Sequence, residues 1–254
     1  MNLSADAAMT AQLIVNAMHE GKKINDVCSA FVPADAAAAY ALQREILRLR
    51  ETTVGGWKIG AKSLNGPING SLLPEDGLFA SGSQVEIVEC PSPILELEIG
   101  FRFNREFAAR DQPYSNEEVL NSIGQMGATI EIVSSRFSSW PRIEPLLALG
   151  DLLNHGALIV GEFIDYDPAF PFVEPALTFT YADEDIVPGD GANLAGDPRR
   201  LLAWLVNHHT RNGLGVSPDL VITTGSYTGM HRIQTPGLAV GAINGLPPVS
   251  VELI

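Results

Sequence analysis

Two short stretches constrain this chain more than anything else in it: Ile94-Leu95-Glu96-Leu97-Glu98-Ile99 and Ala128-Thr129-Ile130-Glu131-Ile132-Val133. Alternation of apolar and acidic residues has the period of a β-strand, whose successive side chains point to opposite faces. Leu95, Leu97 and Ile99 then share one side, and Glu96 and Glu98 the other, about 7 Å apart at a rise near 3.4 Å per residue. In the second stretch Glu131 stands alone on the face opposite Ile130 and Ile132. A solvated outer face is the ordinary explanation of an isolated E-x-E. Three acids on two such apolar strands match instead the hard-oxygen shell of Mg²⁺ or Mn²⁺, with positions left for water or substrate. Glu96, Glu98 and Glu131 are therefore the candidate metal ligands.

Around these strands the pattern predicts an α+β protein. Residues 8–19 place Met9, Leu13, Ile14, Ala17 and Met18 on one helical stripe that ends at Gly21, and a second helix follows Pro33 over about 35–50. From Gly55 onward the texture changes to β-type runs at 56–60, 85–88, 94–103, 128–133, 157–160, 177–181, 221–224 and 249–254. Two helices interrupt them. Ser115-Asn116-Glu117-Glu118 is a capping box that opens a helix expected to reach Met126. Asp197-Pro198 supplies an N-cap and a first-turn proline for another, ending near Gly213. The expected division is a helical segment, 1–54, and a β-rich catalytic domain, 55–254.

Composition narrows the partners. With 254 residues, 46% hydrophobic and 18% charged, the chain can bury the core of one large domain. A net charge of -14 argues against nucleic acid, and means that an anionic substrate must be met by a local cation such as a bound metal. Cys28 and Cys90 are too few for a disulfide framework and read as reduced thiols. No apolar run approaches the roughly 20 residues of a membrane span, and no basic region precedes an apolar one near Met1. Cytoplasm is the expected compartment.

Three further segments carry candidate chemistry. In Gly56-Trp57-Lys58-Ile59-Gly60, Trp57 and Ile59 share a face and leave Lys58 alone on the other, between glycines that permit close approach. Pro74-Glu75-Asp76-Gly77 is an acidic turn. Thr223-Thr224-Gly225-Ser226-Tyr227-Thr228-Gly229 follows an apolar strand with hydroxyls and amides able to hold a carboxylate without adding charge, and lacks the lysine of a P-loop. His19, His155, His208, His209 and His231 show no metal-ligand spacing, although His155 and His231 lie beside β-ends.

In order, Gly-Trp-Lys-Ile-Gly at 56–60, Leu-Leu-Pro-Glu-Asp at 72–76, Leu-Glu-Leu-Glu at 95–98 and Ile-Glu-Ile-Val-Ser-Ser-Arg at 130–136 form a recognisable series. It continues with Ala-Leu-Ile-Val-Gly-Glu at 157–162, Gly-Asp-Pro at 196–198 and Gly-Ser-Tyr-Thr-Gly at 225–229. The series resembles the 2-keto-4-pentenoate hydratase / 2-oxohepta-3-ene-1,7-dioate hydratase / 4-oxalocrotonate decarboxylase family, a branch of the fumarylacetoacetate hydrolase superfamily. The resemblance implies a layered, mixed β-sheet body with peripheral helices, and a homo-oligomer, with a sibling decarboxylase or hydratase as a conceivable partner. It implies Mg²⁺ or Mn²⁺ on Glu96, Glu98 and Glu131, an active-site Lys58 with Asp76 as its acidic partner, and a substrate carboxylate met at Ser226 and Thr228. The family commonly has Asp where Ser134 stands and Asn near His155.

The activity implied is hydration of a 2-hydroxy-2,4-dienoate to a 4-hydroxy-2-oxo acid in aromatic catabolism. The alternatives are 4-oxalocrotonate-type decarboxylation, C–C bond hydrolysis of the wider superfamily, or a catalytically silent metal- or metabolite-binding protein. With 16 Lys+Arg against 30 Asp+Glu, and only Lys62, Arg136, Arg142 and Arg232 near the motifs, a short monocarboxylate is the expected substrate. Arg142 or Arg232 directed into the cavity would favour a diacid instead.

Overall fold

A computed structural model describes residues 5–25, 32–87, 90, 92–187 and 191–254; Cys28 and Val88 lie outside the described residues. The N-terminal periodicity forms helices α1 (Ala5–Glu20) and α2 (Ala36–Leu49). Asp35 caps α2, its Oδ1 accepting from Ala38 N at 2.8 Å. Gln43, buried on the inner face of α2, donates to Leu149 O (2.6 Å) and accepts from Leu72 N (3.1 Å), so this helix is pinned to the body by a satisfied polar group.

The strands are β1 (Val54–Ala61), β2 (Ile68–Pro74), β3 (Leu78–Ala80), β4 (Ser83–Val85), β5 (Ile94–Phe103), β6 (Ile123–Val133) and β7 (His155–Val160). They continue as β8 (Ile164–Asp165), β9 (Leu177–Tyr181), β10 (Glu184–Asp185), β11 (Val221–Thr223), β12 (His231–Arg232), β13 (Gly237–Ile243) and β14 (Val249–Leu253). Among the described residues, nine form a mixed sheet in the order β2-β1-β11-β5-β6-β7-β3, with β12 also on β5 and β8 on β6. Five form a second, β10-β9-β13-β14-β4. The late strand β11 is inserted between two early ones, parallel to β1 and antiparallel to β5.

The apolar sides of β5 and β6 (Leu95, Leu97, Ile99, Ile130 and Ile132, all fully buried) belong to one core with Phe179, Ala239, Val249 and Val251 of the smaller sheet. The sheets approach closely where β13 has Gly241, since a Cβ there would come within 2.4 Å of Leu97 Cδ1.

Two expected elements change. The capping box on Ser115 and Glu118 is formed, but helix α3 covers only Asn116–Leu120, and 123–126 begin β6 instead. Pairing with β5 along nearly its whole length, including Phe101 with Met126, outweighs a local helix signal in a stretch holding Gly124 and Gly127. Helix α5 runs Arg199–Arg211 with Pro198 at the N-cap. Asp197, one residue too early to cap it, accepts from Arg199 N at 3.0 Å and pairs with the Arg199 guanidinium. A short helix α4 (Pro145–Gly150) leads toward β7. No helix of the described residues is long and apolar enough to cross a membrane.

Candidate metal centre

Sheet register gathers the acids. In the antiparallel β5–β6 pair, Glu96 lies directly opposite Glu131, and Glu98 opposite Thr129. Side chains facing one another in register share a face, and like charges so placed repel. One carboxylate oxygen from each of Glu96, Glu98 and Glu131 lies within 4.8 Å of the others. Two oxygens on one ion at 2.0–2.6 Å are at most about 5 Å apart, so the set fits a single Mg²⁺- or Mn²⁺-type cation.

Electrostatics point the same way. Glu98 is 2% exposed; burial, and then Glu131, push its carboxyl up to about 7. Burial, then Glu98 and Glu131, push Glu96 up to about 8. Burial pushes Glu131 up as well, but Lys58 and His155 beside it outweigh this and hold it below the usual carboxylate range. The acids thus crowd negative charge that one divalent cation would neutralise.

The flanking strands supply the rest. Lys58 lies in register with Thr223 of β11, and Thr223 with Gly100 of β5, which brings the lysine onto the carboxylate face. Its Nζ contacts Glu131 Oε1 and donates to Leu153 O at 3.1 Å. Thr223 Oγ1 and Gly225 N (3.0 Å) both donate to Glu98 Oε2, and Thr129 Oγ1 lies 3.1 Å from Thr223 Oγ1. The hydroxyl-and-glycine loop therefore does hold a carboxylate, but it is the protein's own Glu98.

Ser226 and Thr228 spend their hydroxyls within this region. Ser226 Oγ donates to Gly229 O (3.1 Å), and Thr228 Oγ1 accepts from Leu97 N (3.2 Å).

Asp76 makes no ion pair with Lys58 among the described residues. It sits on the turn 75–77, where its Oδ2 accepts from Arg50 Nη2 at 2.8 Å, and the lysine's acidic partner is Glu131. His155 stands between the two. Its Nδ1 is 3.6 Å from Glu131 Oε1, beyond hydrogen-bond length, and a Cβ on Gly77 would lie 2.9 Å from its Nε2. Burial lowers the His155 pKa, and Glu131 beside it pulls the other way. Asp76, Arg50, Arg136 and His155 line a polar cavity of about 590 Å³.

Arg136 is fully buried and committed to Asp151, with Nε to Oδ1 at 2.5 Å. Arg232, in register with Ile94, lies on the same face as Glu96 two residues along, and makes no ion pair among the described residues. The sequence does not point to Thr129, Asp151 or the Leu153 carbonyl; it does place Thr223 in a loop able to hold a carboxylate, and the β5–β11 register makes that carboxylate Glu98.

No family model matches the chain. A 2-keto-4-pentenoate hydratase of Burkholderia vietnamiensis (strain G4 / LMG 22486) is 25% identical over 254 residues, 96% of this chain and 95% of that protein. A second, 2-keto-4-pentenoate hydratase 1 of Dechloromonas aromatica (strain RCB), is 26% identical, spanning 98% and 96%. Among solved structures, 4-oxalocrotonate decarboxylase from Pseudomonas putida G7, complexed with magnesium and adipate, superposes with a TM-score of 0.84 at 21% identity, covering 98% of this chain and 97% of that one. Fumarylpyruvate hydrolase from Pseudomonas aeruginosa, with Mn²⁺ and pyruvate, reaches 0.59 at 16% identity over 78% and 88%. The likeness is one of fold: two mixed sheets with few helices, as in those solved structures.

Proposed function

We propose that this relative of the 2-keto-4-pentenoate hydratases is a divalent-metal-dependent hydro-lyase that adds water to a 2-hydroxy-2,4-dienoate and yields a 4-hydroxy-2-oxo acid. The observation that carries the reading is one sheet face holding three converging carboxylates and a lysine, with a carboxylate oxygen from each acid within 4.8 Å of the others. Glu96, Glu98 and Glu131 would hold Mg²⁺ or Mn²⁺, which when bound supplies Lewis-acid stabilisation of charge on the substrate's C2 oxygen.

The chain's own groups do the remainder. Lys58, fixed by Glu131 and Leu153 O, moves the proton between the C2 hydroxyl and the far end of the diene. Asp76, held by Arg50 at the edge of the polar cavity, is a secondary acid, and Lys58 first, with His155 beside it, lowers the Glu131 pKa. The loop bearing Ser226 and Thr228 adjoins the acids through Glu98, which supports a part in placing the substrate carboxylate. The same reading carries a homo-oligomeric, cytoplasmic enzyme of aromatic catabolism.

The test follows dienol absorbance of 2-hydroxypenta-2,4-dienoate during Mg²⁺ and Mn²⁺ titration. Turnover that needs the metal and gives the 4-hydroxy-2-oxo acid supports the proposal, and metal binding without turnover would leave only a binding protein. One observation favours a second reading, with a diacid and decarboxylation. Arg232 lies on the carboxylate face beyond Glu96 without an ion pair among the described residues, and burial, then Arg232 and Arg136, lower the pKa of nearby Lys23, so positive charge gathers there. A tenfold kcat/KM preference for the diacid analogue, about 1.4 kcal/mol of discrimination, with CO₂ released, would make that reading the better one.

A further inference from the structure

The segment leading into β7 has an unusual backbone. Leu152, Leu153 and Asn154 have φ of 51°, 49° and 61°, three consecutive non-glycine residues in the left-handed region. Each costs roughly 1–2 kcal/mol relative to a right-handed turn, so something must hold them there. Arg136 spans the turn and holds both ends. Its Nε donates to Asp151 Oδ1 and its Nη2 to Asp151 O, both at 2.5 Å, and its Nη1 donates to His155 O. Its backbone N reaches Asp151 Oδ2 at 3.2 Å, and Ser134 N donates to Asn154 O at 2.7 Å. Arg136 is 4% exposed and Asp151 fully buried.

What the turn delivers is the carbonyl of Leu153, 3.1 Å from Lys58 Nζ. An ammonium has three protons. Glu131 and Leu153 O take two, which fixes the direction of the third.

We infer that Arg136 and Asp151 are positioning residues for Lys58, acting through the left-handed turn that aims the Leu153 carbonyl at its ammonium. A buried ion pair is a poor source of net stability, since well-packed apolar residues often serve as well. Here it fixes a shape that the sequence of the turn would not adopt unaided. The inference rests on the reading of Lys58 as the proton-moving group.

The test measures kcat, KM and Mn²⁺ affinity of Arg136→Lys, of Arg136→Lys combined with Leu153→Gly, and of Asp151→Asn, with 2-hydroxypenta-2,4-dienoate as substrate. Lysine keeps the charge opposite Asp151 but loses the three-way fork. Arg136→Lys should lower kcat about 30-fold, as expected for a displaced catalytic group, with KM and metal affinity within about threefold of the parent. Glycine takes the left-handed conformation without a clamp, so adding Leu153→Gly should bring kcat back to within about threefold.

A merely structural arginine would lower the unfolding temperature and leave kcat per folded molecule unchanged, which would overturn the inference. Failure of glycine to rescue would overturn it too. If Arg136→Lys does not fold, the isosteric Asp151→Asn decides the matter: a loss of about fivefold or more in kcat is expected, and an unchanged kcat refutes. Full turnover in Lys58→Met would instead sink the lysine reading itself. An inactive Lys58→Met beside a fully active Arg136→Lys would sink only the clamp.

Discussion

The two sides of strand β1 are both buried, and they handle charge in opposite ways. Behind the strand, Trp57 packs edge-on against His209 at 4.3 Å, and His208 stacks on Trp204 at 4.8 Å. Tyr40 and Arg44 help to line an apolar cavity of about 630 Å³. His209 has neither ring nitrogen hydrogen-bonded among the described residues, and burial, then His208 and Arg44, push its pKa down to about 4. In front, burial pushes Glu96 up to about 8 and Glu98 up to about 7. The cause is shared, because desolvation disfavours whichever form is charged. The responses differ. The rear histidine is content as a neutral ring. In front, Lys58 first and His155 after it hold Glu131 below the usual carboxylate range while its two neighbours are pushed up, an arrangement that a divalent cation resolves. A perturbed group alone therefore says little; several perturbed groups sharing one field describe a site.

Exchanging residues across the strand gives the hardest test of this contrast. Lys58→Met should cut kcat by about 10³-fold or more, roughly 4 kcal/mol, and leave Mn²⁺ affinity within a few-fold. A variant with undiminished turnover would erase the distinction between the two sides.

Next in size is the response to pH, which has opposite signs on the two sides. His209 has a folded pKa below its unfolded value near 6.5. Its neutral form favours folding, and stability is lost as pH falls from about 6.5 through 4, on the order of 3 kcal/mol for 2.5 units. Glu96 and Glu98 have folded values above 4.5, so the stability they contribute is full below about 4.5 and is lost as pH rises from there through 7 to 8. Thermal unfolding in EDTA should show both arms. Mn²⁺ should remove the alkaline arm only, and His209→Leu the acid arm only. An alkaline arm indifferent to Mn²⁺ would contradict the metal reading.

The smallest effect sharpens the comparison within the front face. Thr223→Val removes one of the two donors to Glu98, and should weaken Mn²⁺ binding about tenfold with little change in unfolding temperature of the metal-free protein.

Much of this was legible in the sequence, and the reason is periodicity. The strand at 94–103 agrees at both ends, and the alternation around Glu96, Glu98 and Glu131 is what brings three acids to one face. Strands β2 and β13 escaped notice because Asn69, Gly70, Gly237 and Gly241 interrupt their apolar runs. The helix expected to reach Met126 lost to pairing with β5, a long-range competitor that no local signal reports. The pairing of Asp76 with Lys58 that the family likeness implies depends on the placing of the turn 75–77, which spacing alone does not report. The roles of Thr223 and Leu153 depend on neighbours 125 and 95 residues away, and that of Asp151 on the backbone angles of the turn it flanks; neither is written in spacing.

The place of β11 also sets an order in time. Thr223 lies 125 residues after the Glu98 it serves, so at about 5–20 residues per second of synthesis it follows by roughly 6–25 seconds. Until it arrives, β1 and β5 have no strand between them, and each presents an unpaired edge to solvent. The acids of β5 meet during that interval without the hydroxyl and amide that later hold Glu98. Contacts of such sequence separation form slowly even in the finished chain. The polar face is thus among the last parts of the large sheet to close, and until then the gap between β1 and β5 adds two open strand edges to the outer ones of β2 and β3.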